Sequence, residues 1–311
     1  MRGAGGGGAG RGRTVAARRL AAAAAGFLRL LRVAGLLASA AGGLASCGGA
    51  AGLRRMSMRH APLIFDLHGV LLGRREPAGH LAAGEVLRLL RAAGHPVRFL
   101  TNSSSVGRPQ VAKLLADAGI AAEAEEIYTA AMTVAHYLRR CGRRRRLFVV
   151  GSDALRAELD AGCGEWLEWA RPEEADTVVA SRDPGLDQDT LERLARSRLP
   201  QLIATCRDRS FPDGDAHQAG PGVTVARVEQ VLETRALVLG KPNPYVLSSL
   251  MRLPGRASDC VVIGDSLQQD VALARNAGAR AVLVGDGGGE DGPSPDYRVD
   301  ALDQLLHLLC R

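Results

Sequence analysis

Leu63-Ile64-Phe65-Asp66-Leu67-His68-Gly69-Val70 runs from three apolar residues straight into a carboxylate, an imidazole and a glycine. Short apolar runs that end abruptly in Asp, Thr or Gly mark buried parallel strands whose carboxyl ends line a crevice. The same pattern returns twice. Val97 to Leu100 leads into Thr101-Asn102-Ser103, and Val261-Val262-Ile263 leads into Gly264-Asp265-Ser266, with Asp270 close behind. Between them, Gly240-Lys241-Pro242 supplies a lysine in a turn. In open α/β sheets that strand edge is where ligands sit.

Working outward, strand and helix alternate along the chain. Helices are predicted over Leu81 to Ala93, Pro109 to Ala118 and Ile127 to Leu138. Strands follow at Leu147 to Val150, Thr177 to Ala180 and Leu202 to Thr205, with a helix over Leu186 to Ser197. This block has its own βαβ rhythm before Lys241 arrives, the sign of an inserted domain. Further helices are expected at Pro244 to Met251 and Leu267 to Ala277, and a strand at Ala281 to Val284. The fold class is α/β: a Rossmann-like, doubly wound parallel sheet core with an inserted α/β cap. We assign 58–138 to the first part of the core, 139–234 to the cap and 235–311 to the second part. Repeats of solenoid period and heptads are absent.

A net charge of +7 suggests a nucleic-acid protein at first sight. However, residues 1–59 hold ten arginines and no acid, which leaves 30 basic against 33 acidic residues beyond them. The basicity belongs to the leader, and a mildly acidic remainder argues against a nucleic-acid partner. Arg139-Arg140 and Arg143 to Arg146 read as a solvated turn. Residues 1–57 are an Ala/Gly/Arg leader without the composition of a packed fold. Arg29 and Arg32 break its apolar stretches, so it contains no stable membrane span. Three readings stay open for it. It suits a mitochondrial transit peptide, Leu44-Ala45-Ser46-Cys47 resembles a bacterial lipoprotein box, and translation starting at Met56 or Met58 would make it an artefact. The last reading, with a cytoplasmic protein, is the one we expect.

Six cysteines, with no C-x-x-C pair, give neither a zinc site nor a disulfide framework. The glycines at Gly285 to Gly289 lack a phosphate-loop pattern and read as a surface loop.

The four segments suit one task, holding a phosphate and a divalent metal. Asp66, at a strand tip, can attack phosphorus to form an aspartyl-phosphate. A carboxylate approaching a phosphate dianion needs a cation between them. Mg²⁺ takes oxygen ligands from one or two carboxylates, which Asp66 and Asp265 can supply. Lys241 is a point charge for the non-bridging oxygens, and Thr101 and Asn102 offer polar groups to the phosphate. Asp270 is placed to orient Lys241 or a metal-bound water.

From Pro62 to Leu309 the chain resembles the haloacid dehalogenase (HAD) superfamily. In detail it resembles subfamily IIA, whose large cap lies between the second and third motifs. The motifs are Asp-x-Asp-Gly, a Thr or Ser after a strand, a Lys, and Gly-Asp followed by more acid. The resemblance implies a Mg²⁺-dependent phosphatase acting on a small phosphorylated metabolite, similar to phosphatases of phosphoglycolate, pyridoxal phosphate and nucleotides. It adds the backbone carbonyl of His68 to the metal ligands, and a homodimer through the cap fits it. One position departs: His68 stands where the family has the acid–base aspartate. Histidine can do that work. The alternative is a weak or non-catalytic phosphate-binding protein. In the cap, Ala204-Thr205-Cys206-Arg207-Asp208 resembles the family's stretch facing the site, and Asp208 is the expected substrate contact.

Overall fold

The computed structural model describes residues 58, 60–74, 76–198, 200–213, 216–251, 253–287 and 291–310. The leader, with Cys47 and Met56, lies outside the described residues. In chain order the strands begin with β1 (Leu63–Asp66), β2 (Val97–Thr101), β3 (Ile127–Thr129) and β4 (Arg145–Val150). They continue through β5 (Leu167–Trp169), β6 (Thr177–Ala180), β7 (Gln201–Ala204), β8 (Ser210–Asp213) and β9 (Ala216–Ala219). The last are β10 (Leu237–Val238), β11 (Val261–Gly264), β12 (Arg280–Val284) and β13 (Tyr297–Val299). Helices α1 (Ala83–Ala92), α2 (Arg108–Asp117), α3 (Ala130–Arg140) and α4 (Asp153–Cys163) lie in the first half. Helices α5 (Gln188–Ala195), α6 (Pro221–Leu232), α7 (Ala272–Ala277) and α8 (Gln304–Leu309) lie in the second.

Two parallel sheets result. The first has the order β13-β12-β11-β1-β2-β3, the second β10-β7-β6-β4-β5, and β8 and β9 form a separate antiparallel hairpin. In the first sheet β1 lies between β2 and β11, with Leu63 level with both Val97 and Val261. The chain winds one way from β1 to β3, then returns to wind the other way from β11 to β13. That reversal is the switch point where a parallel sheet opens a crevice.

The central strands β1 and β11 are apolar and buried on both faces. Leu63 and Phe65 join one core cluster with Phe99 and Ile263, whereas Ile64 joins the other with Leu100 and Val262. All these side chains are buried. Truncating one such as Phe65 to Ala costs about 3–5 kcal/mol. Local signals agree with this packing. Helix α1 has Glu85 in its first turn and Arg91 in its last, matching the helix dipole. Helix α2 carries Pro109 in its first turn and gives way to Gly119 at φ +75°.

The structure differs from expectation in several elements. Ile127 to Leu138 is not one helix: Ile127–Thr129 is the edge strand β3, and α3 begins at Ala130, capped by the Thr129 hydroxyl. Helix α3 buries Ala131, Val134 and Leu138 in the same cluster as Leu147 and Val149, so its packing belongs with the second sheet. The helix expected at Pro244 to Met251 is a single π turn, Val246–Leu250. Arg145 is not part of a solvated turn: it opens β4, is 4% exposed, and donates to Thr177 Oγ1 (3.0 Å) and Gln201 Oε1 (2.7 Å). Among the described residues no helix is long and apolar enough to cross a membrane, and Cys141, Cys163, Cys206, Cys260 and Cys310 are free.

Candidate active site

Because β1, β2 and β11 are parallel, their carboxyl ends bring Asp66, Thr101 and Asp265 to one edge of the first sheet. After β11 the chain makes a π turn, Leu267–Val271, before continuing as α7. Such wide turns are frequent at functional sites. This one places Asp270 in the buried interior while the Ser266 hydroxyl caps the Gln269 N–H (3.3 Å). Lys241 arrives directly after β10, from the second sheet.

The Lys241 ammonium is buried between two carboxylates, 2.8 Å from Asp66 Oδ1 and 2.7 Å from Asp270 Oδ1. Burial works against its charge, but the carboxylates of Asp270 and Asp66 outweigh it and raise its pKa above the usual lysine range. Oxygens of Asp66, Asp265 and Asp270 all lie within 4.8 Å of one another. Burial, then repulsion from Asp66 and Asp270, pushes the Asp265 carboxyl up to about 7. Burial likewise raises Asp270, to about 6, against the pull of Lys241. Three carboxylates facing one ammonium leave negative charge uncompensated. An oxygen-ligand set of that charge fits a hard divalent cation.

Two glycines make this closeness possible. Gly69 has φ +79°, and a Cβ there would sit 1.9 Å from Asp265 Oδ2. A Cβ on Gly264 would lie 2.1 Å from the Asp270 carboxyl carbon. The Gly69 N–H donates to Leu72 O (2.9 Å), which folds the loop back beside β1. His68 is exposed at the mouth of the site. Its pKa is lowered by partial desolvation and then by the nearby Lys241 charge.

On the other side, Thr101 is buried and its Oγ1 accepts from Ser103 N (3.1 Å). Asn102 is buried too, and its Oδ1 accepts from the Lys241 backbone N–H (2.8 Å). Its amide nitrogen faces Gln269 Oε1 (2.8 Å) and both oxygens of Asp208 (3.3 Å each). Asp208 therefore reaches the site from the segment after β7. Burial raises its pKa, although Lys241 and its amide donors oppose the shift. All eight residues selected from sequence thus gather in one region.

Gln269 was missed by the sequence reading, as were the hydroxyls that join the sheets. Ser181 Oγ meets Ser104 Oγ at 2.5 Å and accepts from Thr205 Oγ1 at 2.8 Å, all three being buried. Nothing in their spacing announces these contacts, because each links a different loop.

Two family models match the chain: haloacid dehalogenase-like hydrolase over residues 63–162 and HAD-hydrolase-like over residues 238–305. The chain is 30% identical to the sugar-phosphatase AraL of Bacillus subtilis, over 80% of its own length and 93% of that protein. It is 30% identical to chronophin of Bos taurus, over 83% and 96% respectively. Among solved structures, the p-nitrophenyl phosphatase from Archaeoglobus fulgidus superposes with a TM-score of 0.70 at 25% identity, covering 80% of this chain and 99% of that one. The class is therefore that of hydrolases built on a parallel, Rossmann-like α/β sheet with a carboxylate at the tip of a central strand. Within it, the chain belongs to the haloacid dehalogenase superfamily, subfamily IIA.

Proposed function

We propose that this chain is a phosphatase that hydrolyses a small phosphorylated metabolite through an aspartyl-phosphate on Asp66, with Mg²⁺ as cofactor. The observation that carries this reading is the position of Asp66. It ends the central strand 2.8 Å from a buried lysine and within 4.8 Å of Asp265 and Asp270. Phosphatase names among the relatives support the same reading and lend nothing to the non-catalytic alternative.

An Asp66 oxygen attacks phosphorus, the bond from phosphorus to the ester oxygen breaks, and the departing oxygen takes a proton from His68. Neutral His68 then removes a proton from water. That water attacks the phosphorus, releasing inorganic phosphate and restoring the Asp66 carboxylate. Lys241, Thr101 and Asn102 hold the phosphoryl oxygens, and Asp208 contacts the substrate from the cap. Asp66, Asp265 and the His68 carbonyl would hold Mg²⁺, with Asp270 orienting Lys241 from behind. When bound, the cation neutralises the phosphate so that a carboxylate can approach it. Phosphoryl transfer is largely positioning and charge stabilisation, so this set suffices. We also propose a homodimer through the second sheet, whose edge strand β5 exposes Trp169.

The test is a panel of sugar, glycerol, nucleoside and aryl phosphates assayed with Mg²⁺ and again with excess EDTA. Mg²⁺-dependent phosphate release from at least one ester, absent in Asp66→Asn, is expected. If no ester is turned over faster than by Asp66→Asn, the proposal fails.

A further inference from the structure

Gln269 joins three loops that come from different parts of the chain. It follows β11, one residue before Asp270. Its Oε1 accepts from Asn102, after β2, at 2.8 Å, and its Nε2 donates to Asp208 Oδ1, after β7, at 2.5 Å. The orientation of its amide is forced. Turned over, it would set its oxygen against the Asp208 carboxylate and its NH₂ against the Asn102 NH₂. Asn102 is fixed in turn, because its own oxygen accepts from Lys241 N at 2.8 Å. The bridge therefore runs from Lys241 through Asn102 and Gln269 to Asp208, and spans both sheets.

The Lys241 ammonium does not need this bridge. It is pinned directly by Asp66 and Asp270 at 2.8 and 2.7 Å. Asp208 does need it. No cation lies within ion-pair distance of Asp208 among the described residues, and its side-chain partners on the first sheet are the amides of Asn102 and Gln269.

We propose that Gln269 is a positioning residue for substrate binding: its amide ties Asp208 of the inserted domain to the phosphate loop, so that a phosphate ester meets an assembled pocket. This rests on the phosphatase reading for its functional half. It predicts an asymmetric loss. Breaking the bridge weakens substrate binding, and KM rises by far the larger factor, because Asp66 and Lys241 keep their own contacts at phosphorus.

A double-mutant cycle tests it. Gln269→Met removes both amide hydrogen bonds at nearly unchanged volume, Asp208→Ala removes the carboxylate that they hold, and the double variant removes both partners. Gln269→Ala serves as the second single variant should Gln269→Met fold poorly. With p-nitrophenyl phosphate and Mg²⁺, each single variant is expected to raise KM by about 10- to 100-fold, the worth of a hydrogen bond to a charged group. Because Gln269 acts through Asp208, the double variant should have a KM within about threefold of that of Asp208→Ala alone. Stabilisation of the fold by inorganic phosphate with Mg²⁺, read as a melting-temperature shift, should shrink in each single variant and shrink no further in the double. Additive losses in the double variant, or single variants with an unchanged KM, overturn the proposal. An inert wild type instead defeats the phosphatase reading, and the cycle of phosphate-induced melting shifts still decides for or against the bridge.

Discussion

Gly69 and His68 are neighbours with opposite demands. Gly69 must stay without a side chain so that Asp265 can close on the loop. His68, exposed at the mouth, has room to meet a leaving group. If His68 is the acid–base group, His68→Ala should lower turnover of alkyl phosphates by about 10²–10⁴ while sparing acetyl phosphate, whose leaving group needs no proton. Asp66→Asn should abolish both. Equal rates for wild type and His68→Ala on every substrate would make the histidine a bystander. Residue chemistry in this site was legible in advance where it sits at a strand tip: Asp66, Thr101 and Asp265 follow apolar runs, and Lys241 and Asp270 follow from the motif order. Gln269 was not, because its contacts exist only once three loops meet.

Among the elements, apolar runs set off by a loop were readable, and a strand that runs directly into a helix was not. Ile127-Tyr128-Thr129 is too brief for periodicity to separate it from the helix that follows. Strands β5, β10 and β13 have three, two and three residues, and each is extended because a neighbouring strand pairs with it. Helix α6 shows how such weak local preferences are fixed by buried charge. Its Glu229 is nearly inaccessible and ion-paired with Arg207 and Arg235, and it accepts from the Ala236 N–H at 2.7 Å, securing the chain that leads into β10. Burial alone would raise its pKa, but the Ala236 N–H and Arg207 hold it below the ordinary value near 4.5. A depressed folded-state pKa means that the stabilisation is present above the unfolded value and is lost as pH falls through the folded one. Glu229→Gln should therefore cost about 1–3 kcal/mol at neutral pH. Thermal melts should show the gap to wild type narrowing once pH drops below the ordinary value. A gap that is constant from neutral pH into the acid range would contradict this account.

For the whole molecule, the two sheets divide the labour. The first carries the carboxylates, and the second sends Asp208 and Lys241 toward them. The second sheet also has an open edge at β5, where Trp169 is 43% exposed beside Arg156, whose guanidinium lies 5.8 Å from the ring centre. If two copies meet there, Trp169→Glu should yield a monomer by light scattering where wild type gives a dimer. A monomeric wild type, or an unaltered mass in the variant, would remove that interface.

The position of β1 between β2 and β11 has a consequence for how the protein comes into being. Its two partners are made far apart in time, one soon after it and the other only when the chain is nearly finished. A growing chain on the ribosome can pair β1 on one side, but the opposite rim of its backbone stays without a mate until residues near Val261 emerge. Contacts that span so much of the chain form late. The carboxylate that we assign to attack is thus among the earliest parts of the site to be synthesised, and its setting is among the last to be completed. A ribosome stalled between β4 and β7 of the second sheet would hold a chain that has its nucleophile but neither its lysine nor its second acid.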